Sequence, residues 1–473
     1  MSAGEGAPAA RIDADIVVQN PVSGEMAGRV SDMTAEVPAL VRRARTAQAA
    51  WGARPVEERA EVLTAMRRWI VANRTAIVES TMRETGKTYE DALFNEVFVL
   101  ADSIRFWERK AARHLRDERV RGRGPLVWGR TFIVRRRPHG VVGVIAPWNY
   151  PLGVAIGDSA PALMAGNAVV IKPSEITPLT TTMVVDGLVC ETGLPEDVLL
   201  VATGCGETGA ALVDHVDMIM FTGSTRTGRD VARRAANRLI PVSLELGGKD
   251  PMIVCADANL DRAANAAATF GLGNCGQVCA SVERIYVEDE VHDEFVDKLV
   301  RAVGRLRQRG NTSAGAADVG AMTFPPQLEV VERHVADALA KGARVLTPSL
   351  PSRRESKTMS NSPRVAPSTE SGRARSPGHG HNLRSGGRAR TCNNQLQRHT
   401  QFRAPGTRPA PTRDRRIFAS FGVPAAVRSV RIGAGQHHSF AASPWEPASA
   451  LRHSLGAGAR LHPLPAPPTT TTG

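Results

Sequence analysis

Four short apolar runs constrain what this chain can fold into. They are Val141–Ile145, Val169-Val170-Ile171, Val198-Leu199-Leu200-Val201 and Met218-Ile219-Met220-Phe221. Each is too short for a helix and too continuously apolar for a strand with one wet face. Helix-compatible stretches separate them, and buried strands alternating with helices require a parallel sheet covered on both sides. A second α/β unit begins with the strand Val282–Val287 and the helical stretch Val291–Leu306, continued by Glu329–Ala340 and Ala343–Leu346. Upstream, Met33–Leu115 reads as helical. Leu63, Met66 and Ile70 fall on one face, Arg67, Arg68 and Arg74 are left for water, and Pro55 with Glu57 and Glu58 suits a helix start. The basic stretch Arg121–Arg137, with Thr131–Val134 inside it, reads as an exposed or subunit-pairing strand protected by charge, in preference to a phosphate site.

The net charge of +13 over 473 residues invites a nucleic-acid partner, but its distribution argues otherwise. From Pro348 onward there are 19 basic and four acidic residues, which leaves 41 basic and 43 acidic residues in Met1–Thr347. The first three-quarters is therefore near neutral. Pro348–Gly473 shows no sustained period and is rich in Pro, Arg, Ser, Gly and Ala. Two readings apply: a disordered, low-complexity basic tail that buries too little apolar surface to offset chain entropy, or a segment translated out of frame. Nucleic-acid binding by the tail's arginines would be salt-sensitive and non-specific, with few aromatics for stacking, and is the less favoured reading. Six unevenly spaced cysteines (190, 205, 255, 275, 279 and 392) do not suggest a disulfide framework. With no basic-then-apolar leader and no long apolar run, the expectation is a cytoplasmic protein that does not enter a membrane.

Glu245, in Leu-Glu-Leu-Gly-Gly-Lys, and Cys279, in Gly-Gln-Val-Cys, lie 34 residues apart in glycine-bearing turns. A thiol and a carboxylate suit nucleophilic catalysis followed by hydrolysis. On their own, Cys279 could be an inert core thiol, Glu245 a solvated turn carboxylate and Asn149 a turn residue. Taken with Pro147-Trp148-Asn149-Tyr150-Pro151, Ile171-Lys172-Pro173-Ser174-Glu175 and Phe221-Thr222-Gly223-Ser224, the five motifs resemble the aldehyde dehydrogenase superfamily, over roughly Val17–Leu346. The resemblance implies that Cys279 attacks an aldehyde and that Asn149, with the Cys279 N–H, stabilises the oxyanion. A nicotinamide cofactor then oxidises the adduct to a thioester, and Glu245 activates the hydrolytic water. Lys249 could relay protons, but a surface or structural role suits it better. Cys275 could form a disulfide with Cys279, although packing is the simpler role.

The resemblance also implies the architecture: a Rossmann-like parallel-sheet NAD-binding domain (1–120 and 139–248), an oligomerisation strand region (121–138) and an incomplete α/β catalytic domain (249–347). The tail would be 348–473. Gly204-Cys205-Gly206-Glu207-Thr208-Gly209 fits G-x-G-x-x-G, a pattern that is weak in isolation. The stronger nucleotide turn is Gly223, Ser224 and Gly228, opening a helix after a strand. Trp148 and Leu246 complete the expected contacts. Lys172 and Glu175 match positions that hold the adenine ribose, and a carboxylate at 175 favours NAD, with NADP as the alternative. No metal is expected. The implied partners are a small aldehyde and sister subunits in a homo-oligomer. Among the family's features, the later Glu-Glu-x-Phe-Gly-Pro motif is unmatched, so weak turnover or a catalytically dead NAD- or subunit-binding remnant is expected. The segment Val141–Val287 is most similar to bacterial succinate-semialdehyde dehydrogenases. Where some of these carry a substrate-clamping arginine, eight residues after the oxyanion asparagine, this chain has Gly157.

Overall fold

The computed structural model describes residues 11–12, 15–121, 129–310 and 313–347. The expectations for Pro348–Gly473 lie outside these residues. Strands β1 (Arg11–Ile12), β2 (Asp15–Gln19) and β3 (Met26–Ser31) form an antiparallel sheet that the pattern of apolar runs did not announce. Helices α1 (Val37–Ala53), α2 (Val56–Ala72) and α3 (Arg74–Thr85) follow. A single turn, α4 (Tyr89–Asp91), then runs through a π-helical stretch, Ala92–Phe98, into α5 (Val99–Leu115). Leu63, Met66 and Ile70 are fully buried, as their spacing requires. Arg67 departs from expectation. Its guanidinium forms a two-pronged bond to Glu108 on α5, at 2.7 and 3.2 Å, and is half-buried.

Strands β4 (Glu118–Arg121) and β5 (Thr131–Val134) pair antiparallel, with every residue of both strands exposed. Arg135 and Arg136 bond Asp117 and Glu118 across the hairpin.

The centre of the molecule is a five-stranded parallel sheet in the order β10-β9-β6-β7-β8. Its strands are β6 (Val141–Ile145), β7 (Ala168–Lys172), β8 (Leu199–Val201), β9 (Met218–Thr222) and β10 (Val242–Glu245), linked by α6 (Pro151–Met164), α7 (Leu179–Glu191), α8 (Gly206–His215) and α9 (Thr225–Arg238). Side chains alternate across the pleat. Val142, Val144, Val169 and Ile171 enter the core with Leu63, Ile70 and Leu152, whereas Val141, Ile145 and Val170 enter a second core with Val37, Leu40 and Leu212. Burying each such side chain contributes roughly 1.5–3 kcal/mol. Two cores on opposite faces explain why these runs lack polar alternation.

β11 (Asp250–Val254) and β12 (Val282–Val287) then form a separate two-stranded parallel sheet. It is packed by α10 (Leu260–Leu272) and α11 (His292–Gly304) around a small core of Val254, Ala264, Ala267 and Phe295. Ile253 and Tyr286 remain exposed on it. The last helix, α12 (Pro325–Ala340), buries no residue, and Val331, Val335 and Leu339 on it are exposed. Ala343–Leu346, expected to continue the α/β unit, forms no strand. Val345 and Leu346 are about half exposed, so the apolar run lacks the burial that would favour extended pairing.

Candidate active site

Every expected site residue in the first α/β unit lies at or just beyond the C-terminal ends of the parallel strands. The sheet order places β7 on one side of β6 and β9 on the other, so the order in which strands are added reverses at β6 and a crevice opens between the connections leaving β6 and β9. A crevice at such a switch point is where open α/β sheets bind ligands. Trp148 and Asn149 leave β6, Lys172 ends β7, Gly223 and Ser224 leave β9, and Glu245 ends β10. Ile145 pairs with both Lys172 and Phe221, and Glu245 pairs with Thr222, so these ends are level. The Gly223 N–H donates to the Glu245 carbonyl at 3.0 Å.

The turn after β9 is built for close approach. Ser224 caps α9, its hydroxyl accepting from the Thr227 N–H at 3.1 Å. A Cβ on Gly223 would lie 2.7 Å from the Phe221 ring, and one on Gly228 would lie 2.6 Å from a Leu246 methyl. A side chain at either position would have to displace Phe221 or Leu246, and Leu246 packs on the first turn of α9. The positive end of this fourteen-residue helix faces the sheet's C-terminal edge. The competing Gly204–Gly209 turn is filled by protein. Gly204 has φ +152°, a Cβ there would meet Thr208 Oγ1 at 1.8 Å, and Thr208 touches Thr34 at 2.6 Å.

Lys172, nearly buried, donates to Glu175 Oε2 at 2.8 Å. Burial alone would raise the Glu175 carboxyl. The neighbouring Lys172 charge and hydrogen bond outweigh it and hold Glu175 below the usual range. Trp148 is half-buried, accepts from Thr177 Oγ1 at 3.4 Å and tilts against Phe324 at 6.0 Å. These residues present a cradle, a helix N-terminus and a charged pair that fit a dinucleotide.

The turns carrying Glu245 and Cys279 are brought together by the second sheet. Asp250, five residues after Glu245, pairs with Val282, three residues after Cys279. A Cβ on Gly248 would sit 3.2 Å from the Cys279 carbonyl. Lys249 forms an exposed ion pair with Glu283 at 2.8 Å, in keeping with a surface role.

The loop before Cys279 is strained. Asn274, Cys275 and Gly276 are all left-handed, with φ of 50°, 58° and 72°. Such a backbone costs a non-glycine residue about 1–2 kcal/mol. Bonds hold it in place: the Asn274 N–H to Asp91 at 3.3 Å, and the Asn274 side-chain amide to Asn149 O at 3.1 Å and Gln277 O at 3.3 Å. Asn149 Nδ2 donates to Gln277 O at 2.7 Å. Cys275 is a free thiol raised above its ordinary range by burial first and by Asp91 second, with Gln308 near its sulfur at 3.7 Å. Cys279 and Glu245 are both exposed. Two cavities of about 330 and 370 Å³, one lined by Arg113, Arg116 and Arg136 and the other by Thr88, Asp91 and Leu306, include neither residue.

Sequence reasoning missed several groups around this site. Lys87, Glu96 and Glu84 are buried ionisable residues. Asp158, half-buried on α6 one residue after Gly157, is pushed up to about 6 by burial first and by the nearby Glu245 second. Thr323 closes behind Gln277, whose Oε1 accepts from the Thr323 N–H at 2.8 Å, and the next residue, Phe324, lies against Trp148. A charged residue in a helical pattern gives no sign of facing inward, so only the helix register could have raised the question.

The aldehyde dehydrogenase family model matches residues 9–370, extending past both ends of the stretch covered by the motifs. The chain belongs to the aldehyde dehydrogenase family. Among its aldehyde dehydrogenase relatives, a Mycolicibacterium smegmatis protein named "Putative succinate-semialdehyde dehydrogenase", with NADP(+) in its name, is 43% identical over 340 residues, covering 71% of this chain and 65% of the relative. A Methylomonas protein named 4,4'-diapolycopene aldehyde oxidase is 38% identical over 341 residues, covering 71% of this chain and 63% of the relative. The solved lactaldehyde dehydrogenase from Escherichia coli superposes with a TM-score of 0.67 at 35% identity, covering 71% of this chain and 70% of that one. This chain thus spans slightly under two-thirds of the length of these two curated relatives.

Proposed function

We propose that this chain carries the chemistry of aldehyde oxidation to a carboxylic acid, with Cys279 as nucleophile, Asn149 as oxyanion donor and Glu245 as base. The observation that supports it best is the Asn149–Gln277 bond. One N–H of the Asn149 amide is spent on fixing the side chain against the Cys279 loop, which leaves the second for an oxyanion. The Cys279 sulfur attacks the carbonyl carbon, and the oxyanion is held by Asn149 Nδ2 and the Cys279 N–H. When bound, a nicotinamide dinucleotide would supply the two-electron acceptor for oxidation of the adduct to a thioester. Trp148, Lys172, Glu175, Gly223, Ser224, Gly228 and Leu246 would hold it. Glu245 then takes a proton from water, the hydroxide adds to the thioester, and the acid leaves as the thiol is regenerated.

Glu175, kept anionic by Lys172, suits a free ribose hydroxyl and supports NAD, whereas the names of several relatives carry NADP(+). Gly157 and the neighbouring Asp158 carboxyl disfavour a carboxylate-bearing aldehyde at this end of α6. Cys279 and Glu245 are open to water, and with the later Glu-Glu-x-Phe-Gly-Pro motif unmatched the expected turnover is weak, because misplacing a reacting group by about 1 Å can cost roughly 10²-fold. The exposed β4–β5 hairpin, with Val120, Phe132, Ile133 and Val134 on it, suits pairing with a second copy.

The test is mass spectrometry of the full chain after exposure to an aliphatic aldehyde with and without NAD. An acyl adduct on Cys279 that requires NAD, and is lost in Cys279→Ser, is the expected result. Dinucleotide binding with no adduct, and no protection of Cys279 from iodoacetamide by the aldehyde, would identify a remnant that binds but does not catalyse.

A further inference from the structure

Lys87 and Glu96 form an ion pair at 2.6 Å with both side chains fully buried. Such a pair gains little stability over apolar packing, because desolvation offsets its attraction, so its position invites another explanation. Glu96 lies in the π-helical stretch Ala92–Phe98, and its second oxygen accepts from the backbone N–H groups of Leu152 and Gly153, at 3.1 and 2.6 Å. Those are first-turn groups of α6, which has no side-chain cap of its own. Lys87 Nζ also sits 4.0 Å from the centre of the Tyr150 ring. The pair therefore holds both the helix start and the residue after Asn149. Beyond it, Asp91 receives the Asn274 N–H, and Asn274 in turn bonds Asn149 O. One buried cluster thus reaches the oxyanion asparagine from one side and the strained Cys279 loop from the other.

We infer that the buried Lys87–Glu96 pair is a positioning device that clamps the start of α6 and so aims Asn149 at the Cys279 loop. The inference rests on the proposed role of Asn149. Glu96 supplies fixed acceptor oxygens to the helix N-terminus, and Lys87 bonds one of them while backing the Tyr150 ring. A π-helical turn at this point offsets the side-chain register, a feature often retained where a side chain must be re-aimed.

The test uses the full chain and two probes of Cys279. Acylation by p-nitrophenyl acetate passes through an oxyanion, whereas alkylation by iodoacetamide does not. K87M/E96L removes both charges and all acceptors at similar volume, and K87M/E96Q restores one acceptor oxygen. In the leucine variant we expect acylation to fall about tenfold or more while alkylation changes by less than about twofold, with partial recovery in the glutamine variant. Amide hydrogen exchange should quicken in both 149–153 and 273–280. Where the leucine variant does not fold, the glutamine variant carries the test with a smaller change. Unchanged exchange in 273–280, or acylation and alkylation falling together, overturns the inference. N149A separates the two claims. If it acylates normally, or if wild type is not acylated at all, the oxyanion role fails, while the exchange measurement still decides whether the pair couples the two segments.

Discussion

The side-chain amide of Asn149 donates to the backbone carbonyl of Gln277 at 2.7 Å, across 128 residues of sequence. This contact ties the loop leaving the central strand of the parallel sheet to the loop bearing Cys279. The Gln277 side chain extends the tie. It is buried, accepts from the Thr323 N–H at 2.8 Å and donates to Asn274 O at 2.8 Å. Three chain segments therefore meet at one residue.

Gln277→Ala should cost about 1–3 kcal/mol of stability, because it strands the buried Thr323 N–H, whereas the Asn274 carbonyl keeps the Gln277 backbone N–H at 3.1 Å. Urea unfolding measures this directly, and peptide-resolved hydrogen exchange should localise the loosening to 273–280 and the segment around Thr323. A variant as stable as wild type would mean that water replaces the side chain.

Glu175→Gln removes the carboxylate opposed to a 2′-phosphate and leaves Lys172 without its ionic partner. The ratio of NADP to NAD affinity should rise by about tenfold, the scale of one charge-assisted contact. Titration of tryptophan fluorescence with each dinucleotide gives both constants. An unchanged ratio would place cofactor choice elsewhere.

A Cβ added at Gly157 would meet nothing within 4 Å, so a longer side chain has room there. Gly157→Arg puts a cation beside Asp158 and should strengthen protection of Cys279 by succinic semialdehyde relative to butanal, by about tenfold. Competition against iodoacetamide alkylation reads the ratio. Equal protection by both aldehydes would show that this end of α6 does not meet the substrate.

Glu84 is fully buried and caps α7, accepting from the Leu179 and Thr180 N–H groups at 2.8 and 3.1 Å. Burial, opposed by those bonds, pushes its carboxyl from 4.5 up to about 7. The folded protein therefore binds a proton that the unfolded chain releases first. The stability this supplies is complete below about 4.5 and is lost as pH rises through about 7, a span of roughly 3 kcal/mol. Unfolding at pH 5 and pH 8 should show this fall in wild type and a flatter response in Glu84→Gln. Parallel pH profiles for the two proteins would exclude Glu84 as the source.

Local sequence was enough for the central sheet and for the motifs of the site. Strand runs such as Val141–Ile145 are buried on both faces, so their hydrophobicity is continuous and visible without neighbours. Gly223 stands just past the end of such a run, and the Glu245 and Cys279 turns were legible from their glycine-bearing motifs. The sequence did not show that Arg67 bonds Glu108, that Ala343–Leu346 forms no strand, or that Lys87, Glu84 and Glu96 are buried. A lysine or glutamate in a helical pattern has the same local preference whether it faces water or the core. What decides its environment is the helix start or ring that distant chain brings to it: α6 and Tyr150 for the Lys87–Glu96 pair, α7 for Glu84. The approach of the turn carrying Glu245 to the turn carrying Cys279 likewise depends on the parallel register of Asp250 with Val282, a pairing between segments with no local contact before folding. Sequence alone determined where reactive side chains stand along the chain and where the strands of the central sheet end. Tertiary structure decided which of them meet, because burial and long-range pairing are properties of the assembled layers.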